Sequence, residues 1–146
     1  MKATIISLLT VTILVIPSPN QASDCGDFSG KYLVNKSSLR ISHDRCLNLK
    51  FADSDCTNPK SCATVYIADG EKHIDFESET VIRYHKASFN GDKFFYKTFF
   101  EIKDSATRFI TEGTLNLGRD RSLTLEIKQS DEKGELGSTV QQWQRL

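Results

Sequence analysis

From Phe28 to the C-terminus, apolar and polar residues alternate with a period of two, and this feature restricts the fold more than any other. Leu47, Leu49 and Phe51 alternate with Asn48 and Lys50. Leu123, Leu125 and Ile127 alternate with Thr124, Glu126 and Lys128. In an extended chain successive side chains point to opposite faces, so each such run has one face for a core and one for water. Strands are predicted at residues 28–34, 39–42, 46–52, 63–68, 72–76, 80–89, 93–103, 108–117, 123–128 and 139–146. Turn formers separate them, at His43-Asp44-Arg45, Asp69-Gly70, Asn90-Gly91-Asp92, Gly118-Arg119-Asp120 and Asp131-Glu132-Lys133-Gly134. Asn-Gly supplies the positive backbone angles of a tight hairpin. No segment after residue 22 combines helical spacing with caps. The pattern predicts an all-β fold, an antiparallel up-and-down β-barrel or a barrel-like sandwich of about 8–10 strands. Closure has a physical advantage, because an open sheet exposes edges that invite aggregation.

The first 22 residues have a different character. Met1-Lys2 is a short positive opening, and the 14 residues from Ala3 to Ile16 carry no charge. Pro17-Ser18-Pro19 then breaks any helix. This order is that of a cleavable signal peptide. The apolar run is shorter than the roughly 20 residues of a spanning helix. A signal peptide at 1–22, cut after Ala22, and one domain at 23–146 are therefore expected, with no membrane anchor after cleavage. All 19 acidic residues follow Ser23, and of the 19 basic ones only Lys2 precedes it, so the exported chain has a net charge of −1. The two signs are interleaved. Nucleic-acid binders present a basic stripe, and membrane-docking segments a polybasic run. Neither is visible here.

Export changes the reading of the cysteines. Cys25, Cys46, Cys56 and Cys62 become four disulfide cysteines of an oxidising compartment, secreted or periplasmic. Three pairings are open. The favoured one is Cys56–Cys62 with Cys25–Cys46, because Asp55 to Cys62 is rich in turn formers and its ends meet easily. The spacings are not those of a zinc site, and no CxxC pair offers a redox centre. No metal and no cofactor are expected.

The densest aromatic feature is Phe89, Phe94, Phe95, Tyr96, Phe99 and Phe100. Alternation puts Phe94, Tyr96, Phe100 and Ile102 on one face. Phe95 and Phe99 fall on the other, among Lys93, Lys97, Glu101 and Lys103. Ile82 and Tyr84 share a face of the neighbouring strand. Ile82, Tyr84, Phe94, Tyr96 and Phe100 are accordingly the candidate lining of a small-ligand pocket, since such pockets are mostly apolar with a few polar groups. The plainer alternative is that one face fills the core and the other packs under a loop or strand. His43, His73 and His85 read as exposed turn or strand histidines, and Asp75, Glu77 and Glu79 as a solvated turn. An Asp beside a His can orient a general base, as in His73-x-Asp75, but no serine sits on a nucleophile elbow. The chain is read as non-enzymatic. Asn35-Lys36-Ser37 is an N-glycosylation sequon in a eukaryotic source.

Phe28-Ser29-Gly30-Lys31-Tyr32 resembles the opening of the lipocalin and wider calycin barrels, with Tyr32 where those families have Trp. Trp143 and Arg145 stand near the place where lipocalins carry an Arg packed on that ring. The middle Thr-Asp-Tyr motif and the helix after the barrel are missing. The resemblance implies a barrel that binds a small hydrophobic ligand. The alternative is a protein–protein interaction module or inhibitor, presenting an exposed aromatic patch or the Cys56–Cys62 loop.

Overall fold

The computed structural model describes residues 24–58 and 62–146; the expected signal peptide lies outside the described residues. The ten strands are β1 (Gly30–Val34), β2 (Ser37–Asp44), β3 (Asn48–Asp53), β4 (Ala63–Ile67), β5 (His73–Glu77), β6 (Val81–Asn90), β7 (Lys93–Ile102), β8 (Arg108–Leu117), β9 (Leu123–Asp131) and β10 (Gly134–Arg145). They form one sheet in the order β4-β3-β2-β1-β10-β9-β8-β7-β6-β5. Every pair in it is antiparallel. Neighbours in sequence are neighbours in the sheet except β4 and β5, and β10 returns to pair with β1.

The all-β, up-and-down expectation is met, in its sandwich-like form. The sheet rolls until β4 lies over β6, but no continuous ladder closes it. Across this seam the Gly70 N–H donates to the Ala87 carbonyl at 2.8 Å, Asp69 bridges Ser88, and the Ile67 N–H donates to Nε2 of His85 at 3.0 Å. β5 continues past β6 as a free edge.

Turn chemistry fixes the hairpins. Asn35 and Lys36 hold φ of 47° and 74° between β1 and β2, the conformation of a two-residue turn that matches strand twist. Between β6 and β7 the paired residues are Asn90 and Lys93, so the turn is Gly91-Asp92, one residue later than an Asn-Gly turn. Gly91 takes the positive φ of 56°. β10 begins at Gly134, five residues before the predicted start. Its first half, Gly134-Glu135-Leu136-Gly137-Ser138, has no alternation, and pairing with β9 through a bulge defines it instead.

The core lies at one end of the roll. Phe28, Tyr32, Leu49, Phe94, Leu115 and Leu123 are fully buried. Burying one such side chain contributes about 1.5–3 kcal/mol. The segment before β1 closes this floor. Phe28 packs on Phe89 with ring centroids 5.7 Å apart, and the Tyr32 hydroxyl donates to the Phe28 carbonyl at 3.0 Å. Arg145, the register partner of Tyr32, lies over Gly30, where an added Cβ would meet Nε at 3.0 Å. Disulfides join Cys25 to Cys46 and Cys56 to Cys62, with Cα atoms 5.7 and 5.9 Å apart. The first ties the floor segment to the β2–β3 turn. Both fit an extracellular or periplasmic protein. Among the described residues no helix is long and apolar enough to cross a membrane.

Candidate binding site

Strand register orders the inner face of β6–β9 into rungs. The lowest is Phe89, Phe94, Leu115 and Leu125, all buried. Next come Ala87, Tyr96, Gly113 and Ile127, then His85, Thr98, Thr111 and Gln129. The fourth rung is Arg83, Phe100, Phe109 and Asp131, with Phe76 of β5 beside Arg83. Phe100, Phe109 and Phe76 are 39%, 41% and 54% exposed. The inner face thus passes from a dry floor through a polar ring to an aromatic mouth.

An aromatic cup sits between floor and ring. Tyr66 of β4 is its hub, 4.8 Å from Tyr96, 5.8 Å from Phe51 and 6.0 Å from Phe94 between ring centroids. Phe51 meets Trp143 edge-on at 6.4 Å. A cavity of about 150 Å³ is lined by Phe51, Thr64, Tyr66, Tyr96, Leu125 and Trp143. Tyr96 reaches it by lying over Gly113, where an added Cβ would stand 2.1 Å from the ring; this close approach requires glycine. Burial, with Tyr66 nearby, pushes the Tyr96 phenol up to about 12. The Tyr66 phenol is raised as well, mainly by burial, while a hydrogen bond with Thr98 works against the rise.

The polar ring centres on His85, 2% exposed on the inner face, where the sequence reading expected an exposed histidine. His85 shares its parity with Ala87 and Phe89, and that phase was the available signal. Its Nε2 accepts from the Ile67 N–H, so the ring proton sits on Nδ1 and is donated to Asp75 Oδ1 at 2.7 Å. Asp75 also faces Arg83 at 3.8 Å, so it is not part of a solvated turn. A bulge in β5 between Ile74 and Phe76 accompanies this inward placement. His73 pairs with Asp69, at 2.8 and 3.0 Å, instead of with Asp75. Its ring stacks on His85 at 5.5 Å.

The five candidate pocket residues do not share one lining. Phe94 fills the floor, Tyr96 lines the cup and Phe100 stands at the mouth. Ile82 and Tyr84 lie on the outer face, opposite Glu101 and Phe99. There Tyr84 stacks on Phe99 at 4.6 Å, donates to Glu101 at 2.7 Å and lies under Lys72, which buries it without any ligand. On this second aromatic face Phe99 is covered by neighbouring side chains, whereas Phe95 is 37% exposed and borders a surface depression. Sequence reasoning missed Phe51, Thr64, Tyr66 and Trp143, because no spacing within one strand shows that β3, β4 and β10 meet β7 across the roll.

Two larger depressions have a different chemistry. One, of about 350 Å³, includes Lys86, Lys97 and Glu112 on the outer face of β6–β8, where Lys97 and Glu112 form an ion pair. The other, of about 530 Å³, is polar and lies between the β1–β2 turn and the Cys56–Cys62 loop, with Lys36, Asp53 and Asp55 on its walls. Among the described residues no group of three or more His, Cys, Asp or Glu is placed to hold a metal ion. No known family model and no curated protein matches the chain.

Proposed function

We propose that this is an exported, non-enzymatic protein that binds a small, largely apolar ligand on the inner face of the rolled sheet. The observation that carries the reading is the aromatic cup, with exposed Phe76, Phe100 and Phe109 two rungs beyond Tyr96 on the same face of the sheet. The cup is smaller than the roughly 300–1,000 Å³ of ordinary ligand pockets. An apolar cavity of about 150 Å³ accepts a benzene-sized group. The ligand would place one ring or short branch in the cup and lay the remainder across the polar ring onto the phenylalanines. The likeness of Phe28–Tyr32 to the lipocalin opening, and the signal-peptide pattern of residues 1–22, support the same reading.

Trp143 is the chain's only tryptophan and lines the cup, so occupancy is read from its emission. Titration with 1-anilinonaphthalene-8-sulfonate is expected to give a saturable change. Thr64→Phe, which fills the cup from an exposed strand, should abolish it. No saturable change with folded protein would defeat the proposal. The exposure of Phe76, Phe100 and Phe109 equally favours a second reading, a protein partner seated on the mouth. Under that reading Thr64→Phe leaves binding intact, while Phe100→Ala and Phe109→Ala weaken it.

A further inference from the structure

The cup has one wall, β4, that a sheet ladder holds on one side only, where it pairs with β3 from Ala63 to Ile67. Tyr66 and Thr64 come from β4, and β4 meets β6 only across the seam. The last residue of β4, Ile67, is held by a side chain: its N–H donates to Nε2 of His85. This bond exists only while Nε2 is unprotonated. The neutral ring has a single proton, on Nδ1 and directed at Asp75. A second proton would put an N–H at Nε2 facing the Ile67 N–H, donor against donor, and the hydrogen bond would be lost. The protonated ring keeps Asp75 as its partner, so the loss falls on the seam.

We propose that His85 is a proton-operated latch: the neutral ring holds the end of β4 against β6, and the protonated ring releases it and opens the Tyr66 wall of the cup. The regulatory consequence, ligand release on acidification, rests on the binding reading above; the latch itself does not.

The surroundings of the ring set the response. From β5, Asp75 faces Nδ1 and His73 stacks on the ring plane. From β4, Tyr66 packs edge-on at 5.1 Å. From β6 itself, Arg83 reaches Asp75, and from β7 the cross-strand partner is the neutral Thr98, with Tyr96 one rung below. Asp69, in the β4–β5 connection, holds His73. His73 is held by Asp69 and makes no bond to β4, so it is not part of the latch. Histidine is the side chain that changes charge between about pH 5 and 8, so the latch is built from the group suited to that range.

The test is amide hydrogen exchange of the full, disulfide-bonded chain without ligand, followed by NMR. Between about pH 7.5 and about pH 5, after correction for intrinsic rates, protection of Ile67 is expected to fall at least about tenfold while that of Leu115 holds. His85→Gln should remove the pH response and His73→Gln should keep it. Equal protection of Ile67 at both pH values overturns the latch, and so does a response that survives His85→Gln or disappears in His73→Gln. If His85→Gln does not fold, imidazole nitrogen shifts of the unaltered protein decide. Loss of Ile67 protection must track conversion of Nε2 to N–H, and either change without the other overturns the proposal. Repeating the Trp143 titration at both pH values separates the two proposals. A working latch with no binding at either pH sinks the ligand reading alone.

Discussion

The floor and the mouth of the roll are built from the same strands with the same alternation, yet they differ in everything that matters for stability. Phe94 and Phe100 stand on one face of β7, six residues apart; the first is fully buried and the second is 39% exposed. The difference comes from the opposite wall. β6–β10 run for 9 to 12 residues, whereas β1, β3 and β4 have only five or six. The short meander covers the lower part of the long strands, and the inner face above it has no layer to pack on. Alternation therefore tells which face a residue is on, and the reach of the facing strands tells whether that face is core.

The largest effect is expected from Phe94→Ala. Removing a fully enclosed ring should cost about 3–5 kcal/mol in urea denaturation. A loss under about 1 kcal/mol would mean the floor is not the stabilising half. Replacing Cys25 and Cys46 with serine frees the floor segment from the β2–β3 turn and should cost about 3 kcal/mol; the same change at Cys56 and Cys62, closing a shorter loop, should cost about 2 kcal/mol. Gly113→Ala forces Tyr96 off the sheet at the boundary between the halves. It should cost about 1–3 kcal/mol and change Trp143 emission, since both rings line the cup. Phe100→Ala should cost less than about 1 kcal/mol while weakening ligand binding, which would sharpen the division between a floor for stability and a mouth for recognition.

An alkaline titration examines the cup from another side. The Tyr96 phenol is raised to about 12 in the folded protein, from 10.0 in the unfolded chain. The folded state holds that proton more tightly. Its contribution to stability is thus complete below pH 10 and is lost as pH rises toward 12. Tyr32 and Tyr66 shift in the same direction. Tyr96→Phe should therefore reduce, without removing, the fall in melting temperature across that window. An unchanged fall would show that Tyr96 is not buried as described.

Much of this molecule was legible in the chain. Alternation located all ten strands, turn residues separated them, and the cysteine spacing favoured the pairing that is found. Alternation also divided the aromatic hairpin correctly into Phe94, Tyr96 and Phe100 against Phe95 and Phe99. These are local properties, fixed by the two-residue repeat of an extended backbone. Tertiary structure decided how far the sheet rolls and which strands face each other. That put Ile82 and Tyr84 outside, brought Phe51, Tyr66 and Trp143 to Tyr96, and buried His85 beneath Ile67 at a seam the alternation does not mark. The reason is physical. Side-chain direction is set within a strand, whereas burial and the partners of a buried group are set by strands distant in sequence, through differences in strand length and the curl of the whole sheet.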